Sequence, residues 1–257
     1  MKIAFFSDIH ANLPALEAVL ADIDRQQPDF LYCLGDLVGY NIWPNEVARE
    51  IRQRGIPTLA GNYDEGIGLH SDDCGCAYKT AEERANGDIS IAFTNEIVSD
   101  ELRAYLRMLP RHMALQFENQ GETLRLLMVH GSPRRINEYL FEDRPEKSLM
   151  RIVADAGADI LLFGHTHQPY HRKLAYDREG KTAWRHAINI GSVGKPKDGD
   201  PRACYVLMTL DPSLSRLDAD AVQVSFERVV YDVEKAARAV EASRLPDAYA
   251  EALRVAR

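Results

Sequence analysis

A chain of 257 residues with 46% hydrophobic and 27% charged residues can bury a substantial core, and its composition gives no ground for disorder or a repeat array. A net charge of −8 argues against a nucleic-acid binder working through a broad basic surface. An acidic protein that takes up phosphate needs a local source of positive charge, which bound metal ions would supply.

The apolar run Ile3 to Phe6 is too short for a signal peptide, and no later stretch approaches a membrane span. Cysteines are sparse, and Cys33 and Cys204 sit in apolar runs as small hydrophobes. The expectation is a cytoplasmic protein in a reducing compartment, with no membrane partner.

Residues 2–7 read as a buried strand ending in a polar turn. Leu16, Val19, Leu20 and Ile23 recur at helical spacing, with Asn12 in the N-cap position and Pro14 in the first turn. A second buried strand is predicted over 29–34, ending at Gly35-Asp36. Pro44 opens a helix that Gly55 ends, and 56–60 reads as a third short strand ending at Gly61-Asn62. This β-α-β-α-β order puts polar residues at the C-terminal end of every strand, the edge where open α/β sheets bind ligands. The stretch 76–109 reads as helical. Strands follow at 111–118 and 123–130 around a turn at Asn119-Gln120-Gly121, then a helix at 145–156 and a strand at 159–163. Strand-like runs at 170–176 and 183–190 flank the turn Asp177-Arg178-Glu179-Gly180. Further strands are expected at 203–210 and 222–231, before an amphipathic helical tail from about 232. Two packed sheets with helices outside is the simplest layout for this order. With no linker rich in Pro, Gly or Ser, 1–257 reads as a single domain.

Five strand ends or tight turns carry metal-ligand side chains: Asp8-Ile9-His10, Gly35-Asp36, Gly61-Asn62-Tyr63-Asp64, His130-Gly131 and Gly164-His165-Thr166-His167. In an extended backbone, residues i and i+2 point to the same side, so the paired ligands of the first and last segments can reach one site. Neighbouring glycines allow close backbone approach. Carboxylate, imidazole and amide without thiolate exclude a structural zinc knuckle and suit Mn, Fe, Ni, Co or Zn, with Mg less well matched. Seven candidates exceed what one ion needs and suit two ions sharing a carboxylate: Asp8, His10, Asp36, Asn62, His130, His165 and His167.

In this order the segments resemble the calcineurin-like metallophosphoesterase family, whose pattern runs D-x-H, G-D, G-N-H-D/E, a strand-end H and G-H-x-H. The match spans residues 8–167, and Asn189-Ile190-Gly191-Ser192-Val193-Gly194 also looks like a family segment. The resemblance implies an α/β fold of four layers, αββα, with two mixed sheets flanked by helices. It implies that Asp8, His10, Asp36 and His167 bind one ion and Asp36, Asn62, His130 and His165 the other, with Asp36 bridging. A water between the ions would ionise near neutral pH and act as the nucleophile. The expected activity is phosphoester hydrolysis, of diesters more than monoesters, on a small phosphorylated substrate, with nucleotides among the candidates. Asp36, Asn62, Tyr63, Asp64 and His130 are the expected catalytic group.

Tyr63 departs from the pattern, since the family has a histidine there that helps the leaving group depart. A phenol of ordinary pKa near 10 is a poor proton donor at neutral pH. The alternative function is therefore a sensor or scaffold that binds metal and a phosphorylated ligand with little turnover; a protein phosphatase, which needs an open groove, ranks lowest. Asp64 reads equally as a turn former or as a residue orienting a neighbour. Cys74-Gly75-Cys76 reads as a tight turn covering the site, and His70 as a surface residue or a substitute acid. Arg134 and Arg135, like Lys195 and Lys197, read as phosphate grips or as solvated charges. Tyr40 and Trp43 read as packing under a helix by default, with stacking on a nucleobase as the minority reading.

Overall fold

The structure, a computed structural model, describes residues 1–119, 122–211 and 215–257. Its elements run β1 (Lys2–Phe6), α1 (Leu13–Gln26), β2 (Phe30–Cys33), α2 (Pro44–Gln53), α3 (Asn62–Gly68), α4 (Ala81–Ile97), α5 (Asp100–Met108), β3 (His112–Asn119) and β4 (Glu122–Val129). They continue with α6 (Glu146–Asp155), β5 (Ile160–Phe163), β6 (Tyr170–Arg178), β7 (Lys181–Asn189), β8 (Ala203–Leu210), β9 (Val222–Val229), α7 (Val233–Glu241) and α8 (Asp247–Val255).

Strand alternation dictates the layers. In β1, Ile3 and Phe5 face one way while Ala4 and Phe6 face the other, because successive side chains leave opposite faces of a strand. All four are fully buried, so this strand has a core on both sides. In β4, Leu126 and Met128 share the core of Ile3 and Phe5, whereas Leu127 and Val129 face a third core with α6. The chain forms two mixed sheets, of order β2-β1-β8-β9 and β3-β4-β5-β7-β6. The core between them joins Ile3 and Phe5 to Leu126, Met128, Ile160, Leu162, Val206 and Met208. Helices α1, α2, α7 and α8 cover the outer face of the first sheet, and α6 covers that of the second. This is the expected four-layer αββα arrangement. Each fully buried Leu, Ile or Phe contributes about 1.5–3 kcal/mol to it.

Local chemistry explains where elements begin and where expectations shift. Asn12 caps α1 by accepting from Ala15 N at 3.3 Å. The third strand expected at 56–60 shrinks to one bridge, Cys33 to Thr58. Pro57 has no N–H for a ladder, and Ala60 N turns away to Pro110 O at 2.8 Å. Helix α3 follows instead, masked in the sequence by the low helix propensity of Gly66 and Gly68. The helical stretch 76–109 divides into α4 and α5, each opened by a hydroxyl cap: Thr80 accepts from Glu83 N and Ser99 from Leu102 N. Residues 76–80 are not helical. The turn expected at Asn119-Gln120-Gly121 falls on residues 120 and 121, outside the described residues. The tail forms two helices, and Ala236, Val240, Ala250 and Leu253 join the core of α1.

Between the sheets, His171 Nε2 and His186 Nδ1 lie 2.9 Å apart. Burial, with help from Lys173, holds His171 at about 4; burial, His171 and Lys173 hold His186 at about 3. Both folded-state values lie below the ordinary 6.5, so below that pH the unfolded chain binds more protons. The stability this pair contributes is intact above pH 6.5 and is lost as pH falls toward 4 and 3. His186→Gln should therefore reduce the loss of stability between pH 7 and pH 4 by roughly 2–3 kcal/mol, measured by urea unfolding at both pH values. An unchanged loss would mean that the pair does not titrate in this window.

Candidate metal centre

The seven expected ligands converge at the C-terminal ends of β1, β2, β4 and β5 and the start of α3, all of them buried. Five stand in the left-handed backbone region: Asp8 (φ 55°), His10 (48°), Asp36 (53°), His165 (65°) and His167 (60°). That conformation costs a non-glycine residue roughly 1–2 kcal/mol, with Asp and His among the more tolerant types. The loops hold one another in it. Asp8 N donates to Gly35 O and His10 N to Asp36 O, both at 2.9 Å, and Gly164 N donates to His130 O at 2.8 Å. Strain gathered on the candidate ligands themselves is the pattern of a preorganised site.

Close backbone approach completes the frame. A Cβ on Gly61 would stand 2.0 Å from Asp36 Oδ1, and one on Gly194 would stand 1.7 Å from Ile9 O. The segment 189–194 clamps the loops: Ser192 Oγ donates to Asp8 O at 2.7 Å, and Asn189 Nδ2 to Gly164 O at 2.8 Å. Asn41 Nδ2 donates to His10 O at 2.8 Å. Asn41 escapes sequence reasoning because an amide after a glycine turn carries no local sign of a distant partner; the segment holding Asn189 and Ser192 was visible only as a family resemblance.

Two clusters result, one of Asp8, His10 and His167 and one of Asp36, His130 and His165, with ligand atoms in each lying within 4.8 Å of one another. Asp36 joins them. Its Oδ1 accepts from Tyr63 N at 2.9 Å, while Oδ2 lies 3.5 Å from His10 Nε2 and 3.3 Å from His130 Nε2. Asn62 Oδ1 lies 3.1 Å from His130 Nε2, and Asp8 Oδ1 lies 3.2 Å from His167 Nε2.

The donor chemistry fits cations. His10 Nδ1 faces Val38 O at 3.0 Å and His167 Nδ1 faces Lys195 O at 2.5 Å, so each Nδ1 carries the proton. Their Nε2 atoms then meet at 3.2 Å. Burial first, and nearby positive groups second, hold both imidazoles well below the usual histidine range. Two neutral rings thus oppose lone pairs, which is repulsive unless a cation lies close by. Asp8 Oδ1 and His165 Nε2 are buried with no hydrogen-bond partner among the described residues. Separations of 3.2–3.5 Å between donors suit the edges of a coordination shell with bonds of about 2.0–2.2 Å. At His130 burial opposes charge, yet Asp36 and Asp8 push it up to about 10, so a proton on its Nε2 meets the same carboxylates that an ion would.

Asp64 touches neither cluster's free donors. Its Oδ1 accepts from Leu37 N and its Oδ2 from Gly61 N, both at 2.9 Å, tying the Asp36 turn to the Asn62 turn. Tyr63 is 1% exposed, and its ring lies edge-on to His10 with centroids 5.4 Å apart. Its hydroxyl has no hydrogen-bond partner among the described residues. The 74–76 turn covers the site: Asn62 Nδ2 donates to Cys74 O at 2.8 Å, and Cys76 Sγ lies 3.4 Å from the same nitrogen. Tyr139 closes the other side, its ring centroid 4.1 Å from that of His165. His70 is exposed. Arg134 pairs with Glu138 at the surface, as a solvated charge would. Lys195 and Lys197 instead border a cavity of about 390 Å³ beside the clusters, together with Tyr40, Tyr139 and Tyr249. Tyr40 packs in the core as expected and also lines this cavity. Among the described residues, no helix is long and apolar enough to cross a membrane.

Comparison with known proteins agrees with this geometry. The calcineurin-like phosphoesterase superfamily domain matches residues 1–213. The uncharacterized protein MJ0912 of Methanocaldococcus jannaschii is 33% identical, covering 98% of this chain and 96% of that protein. Phosphodiesterase YfcE of Escherichia coli K12 is 27% identical over 82% of this chain and 89% of its own length. The crystal structure of a metallophosphoesterase from Sphaerobacter thermophilus, 27% identical, matches with a TM-score of 0.74 over 100% of both chains. The chain belongs to the calcineurin-like phosphoesterase superfamily.

Proposed function

We propose that this chain is a dinuclear metal-dependent phosphoesterase that prefers diesters to monoesters and works in the cytoplasm on a small phosphorylated substrate. The observation that carries the reading is Asp36 Oδ2 standing between His10 and His130, with buried, unanswered donors on either side. Asp8, His10, Asp36 and His167 would hold one divalent ion, and Asp36, Asn62, His130 and His165 the other. The nitrogen and oxygen donors favour Mn, Fe, Ni, Co or Zn over Mg. Such ions, when bound, activate water and neutralise charge on phosphoryl oxygens. The preference for diesters draws on the likeness to a phosphodiesterase at 27% identity. The cytoplasmic reading draws on four free cysteines.

The chain's own part is to fix donors, exclude bulk water with Cys76 and Tyr139, and bind the substrate. Protonating the leaving group is a weaker part. Burial, followed by the neighbouring Tyr40 and Cys76, raises the Tyr63 phenol well above its ordinary range, so it holds its proton tightly. Rates should then depend steeply on leaving-group pKa, with aryl esters hydrolysed far faster than alkyl esters. Tyr63→Phe should leave every rate within about twofold, since only an unpartnered hydroxyl is lost. Tyr63→His should raise rates on alkyl esters, within the range of about 10²–10⁴-fold typical of general acids. A large fall in aryl ester rates in Tyr63→Phe would show instead that the hydroxyl takes part.

The reading as a whole is tested by removing metal with a chelator, reloading with Mn²⁺ or Zn²⁺, and following bis(p-nitrophenyl) phosphate and p-nitrophenyl phosphate. Two equivalents of metal and steady turnover are expected. Folded protein holding two ions and hydrolysing neither ester would favour the sensor or scaffold reading.

A further inference from the structure

The cavity beside the candidate metal centre contains two lysines, Lys195 and Lys197, that form no salt bridge among the described residues, and burial holds both below the usual lysine range. Lys195 is 7% exposed, and its Nζ makes no hydrogen bond or ion pair among the described residues. It lies 4.8 Å from the centroid of Tyr40 and 5.8 Å from that of Tyr249. Lys197 borders both this cavity and the recess lined by His165 and His167, and its ammonium forms no salt bridge among the described residues either. Glu83 lines the same cavity and its charge favours both ammonium groups from a distance, but it forms no salt bridge with either, and its Oε2 accepts from Lys79 N at 2.6 Å. Aromatic faces attract an ammonium without neutralising it, and a buried ammonium lacking a counter-ion is unfavourable. An anion entering the cavity would remove that cost.

Lys197 reaches the recess of the ligand clusters, whereas Lys195 does not line it. The phosphoryl group belongs at the ligand clusters, and Tyr40 touches both places: its ring centroid is 4.8 Å from the His10 ring and 4.8 Å from Lys195 Nζ. Tyr139 and Phe141, stacked at 5.7 Å, offer an apolar wall to whatever joins the two charges.

We infer that this cavity receives the departing part of the substrate, and that this part carries an anionic group of its own, bound by Lys195 and Lys197. The substrate class is then a phosphoester whose leaving group bears a second phosphate or a carboxylate. This rests on the reading of the chain as a phosphoesterase, and a binding measurement separates the two. Metal-loaded protein is titrated calorimetrically with methylphosphonate, which carries one anionic group, and with propane-1,3-bisphosphonate, which carries two; neither has an ester bond to hydrolyse.

The wild type should bind the bisphosphonate at least about tenfold more tightly. Lys195→Met and Lys197→Met should each erase most of that preference, with metal content unchanged, and Lys195→Arg should keep it. Lys197 is only half-buried, so its variant serves if Lys195→Met does not fold. A wild-type preference below about twofold, or one that survives in both methionine variants, overturns the inference. Absence of bis(p-nitrophenyl) phosphate turnover beside an intact, lysine-dependent preference would count against the catalytic reading alone.

Discussion

Asp36→Asn should lower metal content from two ions to one or none and reduce kcat/KM by on the order of 10³-fold or more. The reason is the division of labour between its two oxygens. Oδ1 is committed to Tyr63 N–H at 2.9 Å, and Oδ2 stands 3.5 Å and 3.3 Å from the Nε2 atoms of His10 and His130. An asparagine amide cannot serve both places. With its NH₂ group toward the histidines it presents a donor where an ion would sit; turned over, it presents a donor to the Tyr63 N–H. Either way the charge shared by the clusters is gone. His10→Ala should act more narrowly, because His10 faces Asp8 and His167 in one cluster, and about one ion should remain. Elemental analysis and turnover on the same preparations check both expectations. Full two-ion loading in Asp36→Asn would show that Asp36 does not bridge.

Asp64→Ala should be the most damaging change to stability, at roughly 3–5 kcal/mol, and should weaken metal binding about 10–100-fold. The side chain is fully buried and accepts two backbone N–H groups, Leu37 N and Gly61 N, both at 2.9 Å. Its loss leaves two buried donors without partners and frees the Asp36 turn from the Asn62 turn. Burial, with the Asp36 charge beside it, pushes Asp64 up to about 7, and those two hydrogen bonds pull against that shift. Asp64→Asn retains one acceptor and sets an NH₂ group against the other N–H, so its losses should be smaller in both measures. Chemical denaturation and metal titration give the two readouts. A variant that keeps its stability and its ions yet loses turnover would place Asp64 against the reacting atoms instead of behind the ligands.

Local signals were enough for the layers and for the convergence of the candidate ligands. The alternation in β1, the Asn12 cap and the matching β8 boundaries are properties of short windows, and so are the strand-end Asp, His and Gly residues. Strand ends at one edge of an α/β sheet must come near one another, so order and spacing alone predicted a common site. Where short-range preference was weak, tertiary contacts decided. The run at 56–60 found a single bridge and then Pro110, and α3 formed around two glycines because Asp64 and the core hold it there.

The roles of individual side chains were decided only by the tertiary structure. Lys195 and Arg134 were equivalent on paper, each a cation near a motif. Arg134 meets Glu138 four residues away on the surface, whereas Lys195 is enclosed by Tyr40 and Tyr249, far from it in the chain, and forms no salt bridge among the described residues. Tyr63 likewise carried its departure from the family pattern in the sequence, but not the burial of its hydroxyl beneath Tyr40 and Cys76. A residue's type and neighbours in the chain set what it can do chemically. Whether a charge is solvated, paired or left for a ligand depends on which distant elements close over it, and no local window contains that information.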